Sequence, residues 1–240
     1  MKVRAGLIAL VSFAALIGAA PAQQPAPPQP PEGQERLAAV KQSLQSSMAA
    51  LRQYEWIETT VFSLKGEPKS KKQNRCYYGA DGKLQKVPVG DEPEGDDKKK
   101  RGVRGRIVEN KKEDITESMQ EAVGLVKQYV PPDPAKLQEA KEAGRVSVTP
   151  PDAQGQARLV VRDYLKAGDS LTFDLDAAAN RIRGVSVSSY TDKAKHAVGL
   201  NVSFGTFADG TVYPATIVLD VKEEEINLKI ENSGHRKPGS

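Results

Sequence analysis

Two histidines, one cysteine, one tryptophan and a few closely spaced carboxylates are the residues of this 240-residue chain best equipped to catalyse or to hold a metal. A general base, a nucleophile or a metal site needs partners within reach, and in sequence such partners often show as short motifs of the HExxH, CxxC or GxSxG kind. The chain contains none of these, and His196 and His235 belong to no metal-spaced cluster. Both read as surface residues, one near a strand start and one in the C-terminal tail. Asp174 and Asp176 lie two apart, so in a strand they share one face. That pair suits hydrolysis or a cation only with help from elsewhere, and a solvated strand face explains it better. Cys76 is alone, which excludes an intramolecular disulfide. Only Arg75 beside it would favour a thiolate, so it reads as a buried, inert thiol. Trp56 and Tyr54 could stack on a ligand ring, but a tryptophan opening a strand next to a helix reads as core, its N–H bonded to backbone. Glu223, Glu224 and Glu225 read as a charged, solubilising turn. No catalytic residue, metal or cofactor is therefore expected, and the chain is not expected to be an enzyme.

The alternation of side chains along the second half is more informative. Leu171, Phe173 and Leu175 alternate with Thr172, Asp174 and Asp176, and Leu200, Val202 and Phe204 with Asn201 and Ser203. Ile217, Leu219 and Val221, then Ile226, Leu228 and Ile230, continue the pattern. Neighbours in a strand point to opposite faces, so these segments form a sheet with one apolar and one polar side. Strands are expected over 158–165, 170–176, 181–191, 196–207, 211–221 and 226–231, paired with their sequence neighbours. Ala208-Asp209-Gly210 marks a hairpin, and Gly184 marks a bulge. In the first half, 54–64 reads as a strand, and 71–78 with 83–89 as a hairpin across Gly79–Gly82. Amphipathic helices are expected over 35–54, with Leu37, Val40, Leu44, Met48 and Leu51 on one face, and over 115–130, with Ile115, Met119, Val123, Val126 and Val130. Pro131-Pro132 stops the second, and 134–144 is a third, short helix.

The N-terminus has the form of a secretory signal: Lys2 and Arg4, an apolar run from Leu7 to Ile17, and Ala20-Pro21-Ala22 as a cleavage site. The run is shorter than the ~20 residues of a membrane span. Residues 23–34 form a proline-rich spacer, and 35–237 a single domain. Residues 90–106 carry an acidic block and then a basic one and read as a mobile, solvated loop, with peripheral contact to an anionic membrane as its minor use. Loss of Lys2 and Arg4 lowers the formal net charge from +4 to +2, so no nucleic-acid partner is implied.

Residues Leu37–Thr60, Tyr164–Asp176 (YLKAGDSLTFDLD) and Asp209–Lys237 (DGTVYPATIVLDVKEEEINLKIENSGHRK) carry a resemblance in architecture. With the signal segment, the helix leading straight into a strand, the helical excursion and the closing meander, the chain resembles the outer-membrane lipoprotein carrier superfamily (LolA/LolB-like). The resemblance implies an α+β fold: an antiparallel incomplete β-barrel, or half-barrel, with amphipathic helices over its apolar concave face. It implies a periplasmic or secreted carrier of lipid or lipoprotein acyl chains, held between sheet and helices. Placed on this chain's alternation, the lining would be Leu171, Phe173, Leu175, Leu200, Val202, Phe204, Ile217, Leu219, Leu228 and Ile230, and the lid Leu44, Met48, Val123 and Val126. An arginine locking the lid could be Arg75, Arg158 or Arg162. The charged loop, the long helical excursion and the sparse aromatics depart from the resemblance. A half-barrel filled by its own helices would give the same pattern, so a structural or interaction module with an envelope protein partner is the second expectation.

Overall fold

The computed structural model describes residues 32–90, 103–192 and 196–238. Within them lie three helices, α1 (Glu32–Leu51), α2 (Val103–Val126) and α3 (Pro134–Glu142). Ten strands run β1 (Glu55–Leu64), β2 (Glu67–Tyr78), β3 (Leu84–Pro88), β4 (Val146–Thr149), β5 (Gln156–Arg162), β6 (Ser170–Asp176), β7 (Arg181–Tyr190), β8 (Ala197–Thr206), β9 (Val212–Val221) and β10 (Ile226–Arg236). The fold is α+β, with all ten strands in one antiparallel, open sheet.

The strand order is β3-β2-β1-β10-β9-β8-β7-β6-β5-β4. From β5 to β10 the chain is a meander, as the alternation and the turn residues predict, and β4 adds one more strand at its edge. The first and last of these strands meet where β1 pairs with β10 along Ile57↔Ser233 to Leu64↔Ile226. Bulges interrupt the ladders. On β7 the extra residue is Arg183, beside the expected Gly184, so Ile182 and Val185 both become buried although three positions apart. On β9 the register shifts between the pairs Ser203↔Thr216 and Phe204↔Pro214. That irregularity lets a proline sit inside a central strand, where it would otherwise break the ladder. The hairpin β8–β9 turns at Gly210, whose φ of +86° suits glycine.

α3 has both ends specified locally. Asp133 accepts from the Ala135 N–H (2.8 Å), and Pro134 takes the first turn. At the other end Gly144 has φ +69°, with Arg145 N–H bonded to Ala140 O (2.8 Å) and Gly144 N–H to Lys141 O (3.1 Å), a Schellman ending.

Several expected boundaries move. α2 begins at Val103, so 103–106 are helical and not loop; 91–102 lie outside the described residues, as do the signal segment and most of the spacer. The spacer's last residues, 32–34, already belong to α1. β4 was not expected, and β2 starts four residues before the expected 71. The largest correction concerns the buried face of α1. Val40 and Ser47 are buried and Leu44 partly so, whereas Met48 is 61% exposed. The Ser47 hydroxyl accepts the Val212 N–H (2.9 Å), fixing that face against β9. Met48, one residue and about 100° further round, is thereby turned to solvent.

Candidate functional site

Cross-strand register places the apolar residues in continuous rows. Val146, Val161, Leu171, Val187, Leu200, Leu219, Leu228 and Phe62 pair in succession across eight strands. Directly paired residues share a face, so these eight side chains form one ridge. A second ridge, one pleat away, runs Val148, Leu159, Phe173, Val185, Val202, Ile217, Ile230 and Thr60. Leu175, opposite Ile182, and Phe204, opposite Pro214, extend the same face at its margin.

The two ridges differ in burial. In the first, Val161 and Leu171 are wholly buried, Leu219 is 3% exposed and Leu200 is buried. In the second, Val185 is buried but Leu159, Phe173, Val202, Ile217 and Ile230 keep part of their surface. All ten residues expected to line a cavity thus share one apolar face: Leu171, Leu200 and Leu219 are buried, while Phe173, Leu175, Val202, Phe204, Ile217, Leu228 and Ile230 are half-buried. α1 contacts β7 and β9, and α2 contacts β9. Of the expected lid residues, Leu44, Val123 and Val126 join the hydrophobic cluster, together with Ala122 and Leu125, and Met48 does not.

A buried polar cluster, not recognised from the sequence, holds the end of α2. Tyr129, fully buried, donates to Asp169 Oδ2 (2.5 Å) and lies 2.8 Å from Ser189 Oγ. Asp169 also accepts the N–H groups of Tyr164 (2.6 Å), Leu165 (3.0 Å) and Lys166 (2.9 Å), closing the β5–β6 turn over a carboxylate only 2% exposed. Tyr164 in turn accepts the Asp133 N–H (2.7 Å). Both carboxylate oxygens of Asp169 accept from protein donors, four hydrogen bonds in all, so the group serves as a fastening. Burial first, then the Asp169 carboxylate, push the Tyr129 hydroxyl far above the ordinary phenol value. The signal available in sequence was the aspartate closing the Lys166–Asp169 turn, a position that often bonds local N–H groups.

Aromatic rings gather where α1 leads into β1. Tyr54 stacks on Phe207 (4.7 Å between centroids), Phe207 on Tyr213 (4.3 Å), and His235 lies 4.2 Å from Tyr213 and 5.9 Å from Trp56. Gly205 is required beneath Tyr213, since a Cβ there would fall 2.6 Å from the ring. Trp56 donates to the Asn232 side chain (3.1 Å) and not to backbone. His235, expected at the surface, is half-buried among these rings, and burial lowers its pKa. The folded protein therefore gives up that proton more readily than the unfolded chain does. Stability is full above the ordinary imidazole range and is lost as pH falls through it. The urea midpoint is expected to be lower at pH 5 than at pH 7.5, and His235→Phe should shrink that difference; an unchanged difference would assign it to other groups.

The remaining residues with chemical potential are structurally employed. Asp174 pairs with Arg158 (2.6 Å) on the polar face. Cys76 is buried, and desolvation and then Glu58 raise its pKa. Glu58, itself buried, takes Lys86 Nζ on both oxygens (2.7 and 2.6 Å). The Glu223–Glu225 turn does more than solubilise: Glu223 accepts the Ala197 N–H (2.6 Å), and Glu224 accepts the Ser118 hydroxyl (2.6 Å) and pairs with His196 (3.1 Å). It ties α2 to the β9–β10 turn. Among the described residues no group of three or more His, Cys, Asp or Glu could hold a metal ion. No helix of the described residues is long and apolar enough to cross a membrane. Neither a family model, nor a curated protein, nor a solved structure matches the chain.

Proposed function

We propose that the protein is a non-enzymatic carrier of lipid or lipoprotein acyl chains, exported to the periplasm after cleavage near Ala22. In this reading the sheet curves as a half-barrel with α1 and α2 over its apolar face. What supports it is the half-buried second ridge, Leu159–Phe173–Val202–Ile217–Ile230, lying beside a first ridge that is already covered. From β5 to β10 that ridge spans about 24 Å at the usual strand spacing. An acyl chain laid along it gains about 0.8 kcal/mol per methylene buried, so affinity needs no charged contact. Loading and release would displace the helices. α2 is held through Ser118–Glu224 and, just past its end, Tyr129–Asp169, and α1 through Ser47, so the movement proposed is of α2 about its Tyr129 end.

The buried first ridge favours a second reading, an envelope interaction module whose core is filled by its own side chains. Native mass spectrometry of the protein purified after export, followed by organic extraction, separates the two. A lipid-mass adduct is expected for the carrier. A bare mass, with no uptake of added fatty acyl probes, would overturn it in favour of the filled module.

A further inference from the structure

The β1–β2–β3 arm carries charge and apolar surface that nothing above uses. Along β2, Lys71, Gln73, Arg75 and Tyr77 alternate onto one face. Arg75 is paired in register with Ile57 and Val87, and Lys71 with Val61. Val89 bonds Gln73 from the next position of the same edge (2.8 Å). Val87 and Val89 are 40% and 45% exposed, unusual for valines in or beside a strand. Most anions of this arm are engaged: Glu55 pairs with Arg236 (2.5 Å), Glu67 with Lys69 (2.5 Å) and Glu58 with Lys86 (2.6 Å), while Asp81, in the β2–β3 turn, accepts the Lys83 N–H (3.0 Å). Lys65, Lys71, Arg75 and Lys83 enter no ion pair among the described residues. Arg75 lies 5.6 Å from the Tyr77 ring and also borders a cleft of about 300 Å³ between Trp56, Ile57 and Gly234.

We infer that this face of the arm docks on an anionic bilayer. Cations outside any ion pair, set among exposed valines and a tyrosine, match the lipid–water interface in both layers: charge meets the phosphates, and the apolar and aromatic groups enter the headgroup region. An acidic protein surface would satisfy the cations but leave Val87 and Val89 without an apolar partner. Docking there does not require the apolar ridges to hold a lipid, so the two are separable.

The test is flotation of the exported protein with vesicles of phosphatidylglycerol and phosphatidylcholine, against vesicles of phosphatidylcholine alone, with fatty acyl probe uptake measured on the same samples. Each basic side chain at an anionic leaflet contributes about fivefold to binding. Lys71→Glu with Arg75→Glu is therefore expected to weaken anionic-vesicle binding by about 25-fold or more, with far-UV dichroism and probe uptake unchanged. Val87→Asp with Val89→Asp, at the edge strand, should weaken it independently. Equal binding to neutral and anionic vesicles, or full retention in the charge-reversed variant, would overturn the inference. Vesicle binding that persists in a protein taking up no acyl probe would leave the docking face standing and remove the carrier instead.

Discussion

Replacing Asp169 by alanine is expected to lower the unfolding free energy by about 4 kcal/mol, at the upper end for single substitutions. The carboxylate receives three backbone N–H groups at 2.6–3.0 Å and the Tyr129 hydroxyl at 2.5 Å, in a setting closed to water. Hydrogen bonds to a charged acceptor are worth about 1.5–3 kcal/mol each, and a buried donor left without a partner costs about as much. Water entering the space left by the side chain offsets part of the loss, which keeps the sum below the simple total. Asp169→Asn retains the shape and some acceptors and should cost about half as much. Tyr129→Phe, which removes one hydroxyl, should cost about 1–2 kcal/mol. Urea unfolding at neutral pH measures all three; a loss below 1 kcal/mol for the alanine variant would show that the turn holds without its carboxylate. Because the folded state keeps the Tyr129 proton longer than the unfolded chain does, stability should also fall as pH rises above about 10.

Val202→Glu is expected to reduce acyl-probe affinity by roughly 100-fold while Asn201→Glu leaves it unchanged. The two are adjacent on β8 but point to opposite faces, Val202 within the second apolar ridge and Asn201 exposed on the polar side. A carboxylate in the ridge either breaks the apolar contact of the chain laid along it or is itself buried, and burial of a charge costs several kcal/mol. Leu219, in the first ridge and 3% exposed, is a poorer position, since a charge there would unfold the core before reporting on binding. Fluorescence titration with a fatty acyl probe reads both variants, with dichroism confirming the fold. Equal affinity in the two would remove the apolar face from consideration as the binding surface.

What the sequence made legible was whatever depends on neighbours along the chain. Alternation located β6, β8, β9 and β10 and put Leu171, Val202 and Ile230 on one face. Ala208-Asp209-Gly210 located a hairpin, and Gly184 a bulge within one residue of its place. Helix phase was less secure: Met48 fits the apolar period as well as Ser47 does, and only the long-range bond from Val212 decides between them. The Asp169 fastening was hidden for the same reason, because Tyr129 lies 40 residues from Asp169 and 60 from Ser189, and none of them signals the others locally. β4, four residues at an edge, carries too little pattern to stand out, and the half-burial of His235 comes from rings supplied by three different elements.

The pairing of β1 with β10 sets an order of assembly. The meander from β4 to β10 can zip through neighbouring hairpins as it forms, each closing a short loop. β1, made early, pairs with β2 at once, and β2 with β3, but its other edge finds its partner only after residue 226, so until then this three-stranded unit has no larger sheet to join. A chain emerging from its N-terminus as it is synthesised therefore holds its first three strands apart from the meander until its last strand is made. Such late closure is slow and leaves strand edges open to other chains, so the step most sensitive to a holding chaperone is the arrival of Ile226–Arg236 beside Glu55–Leu64.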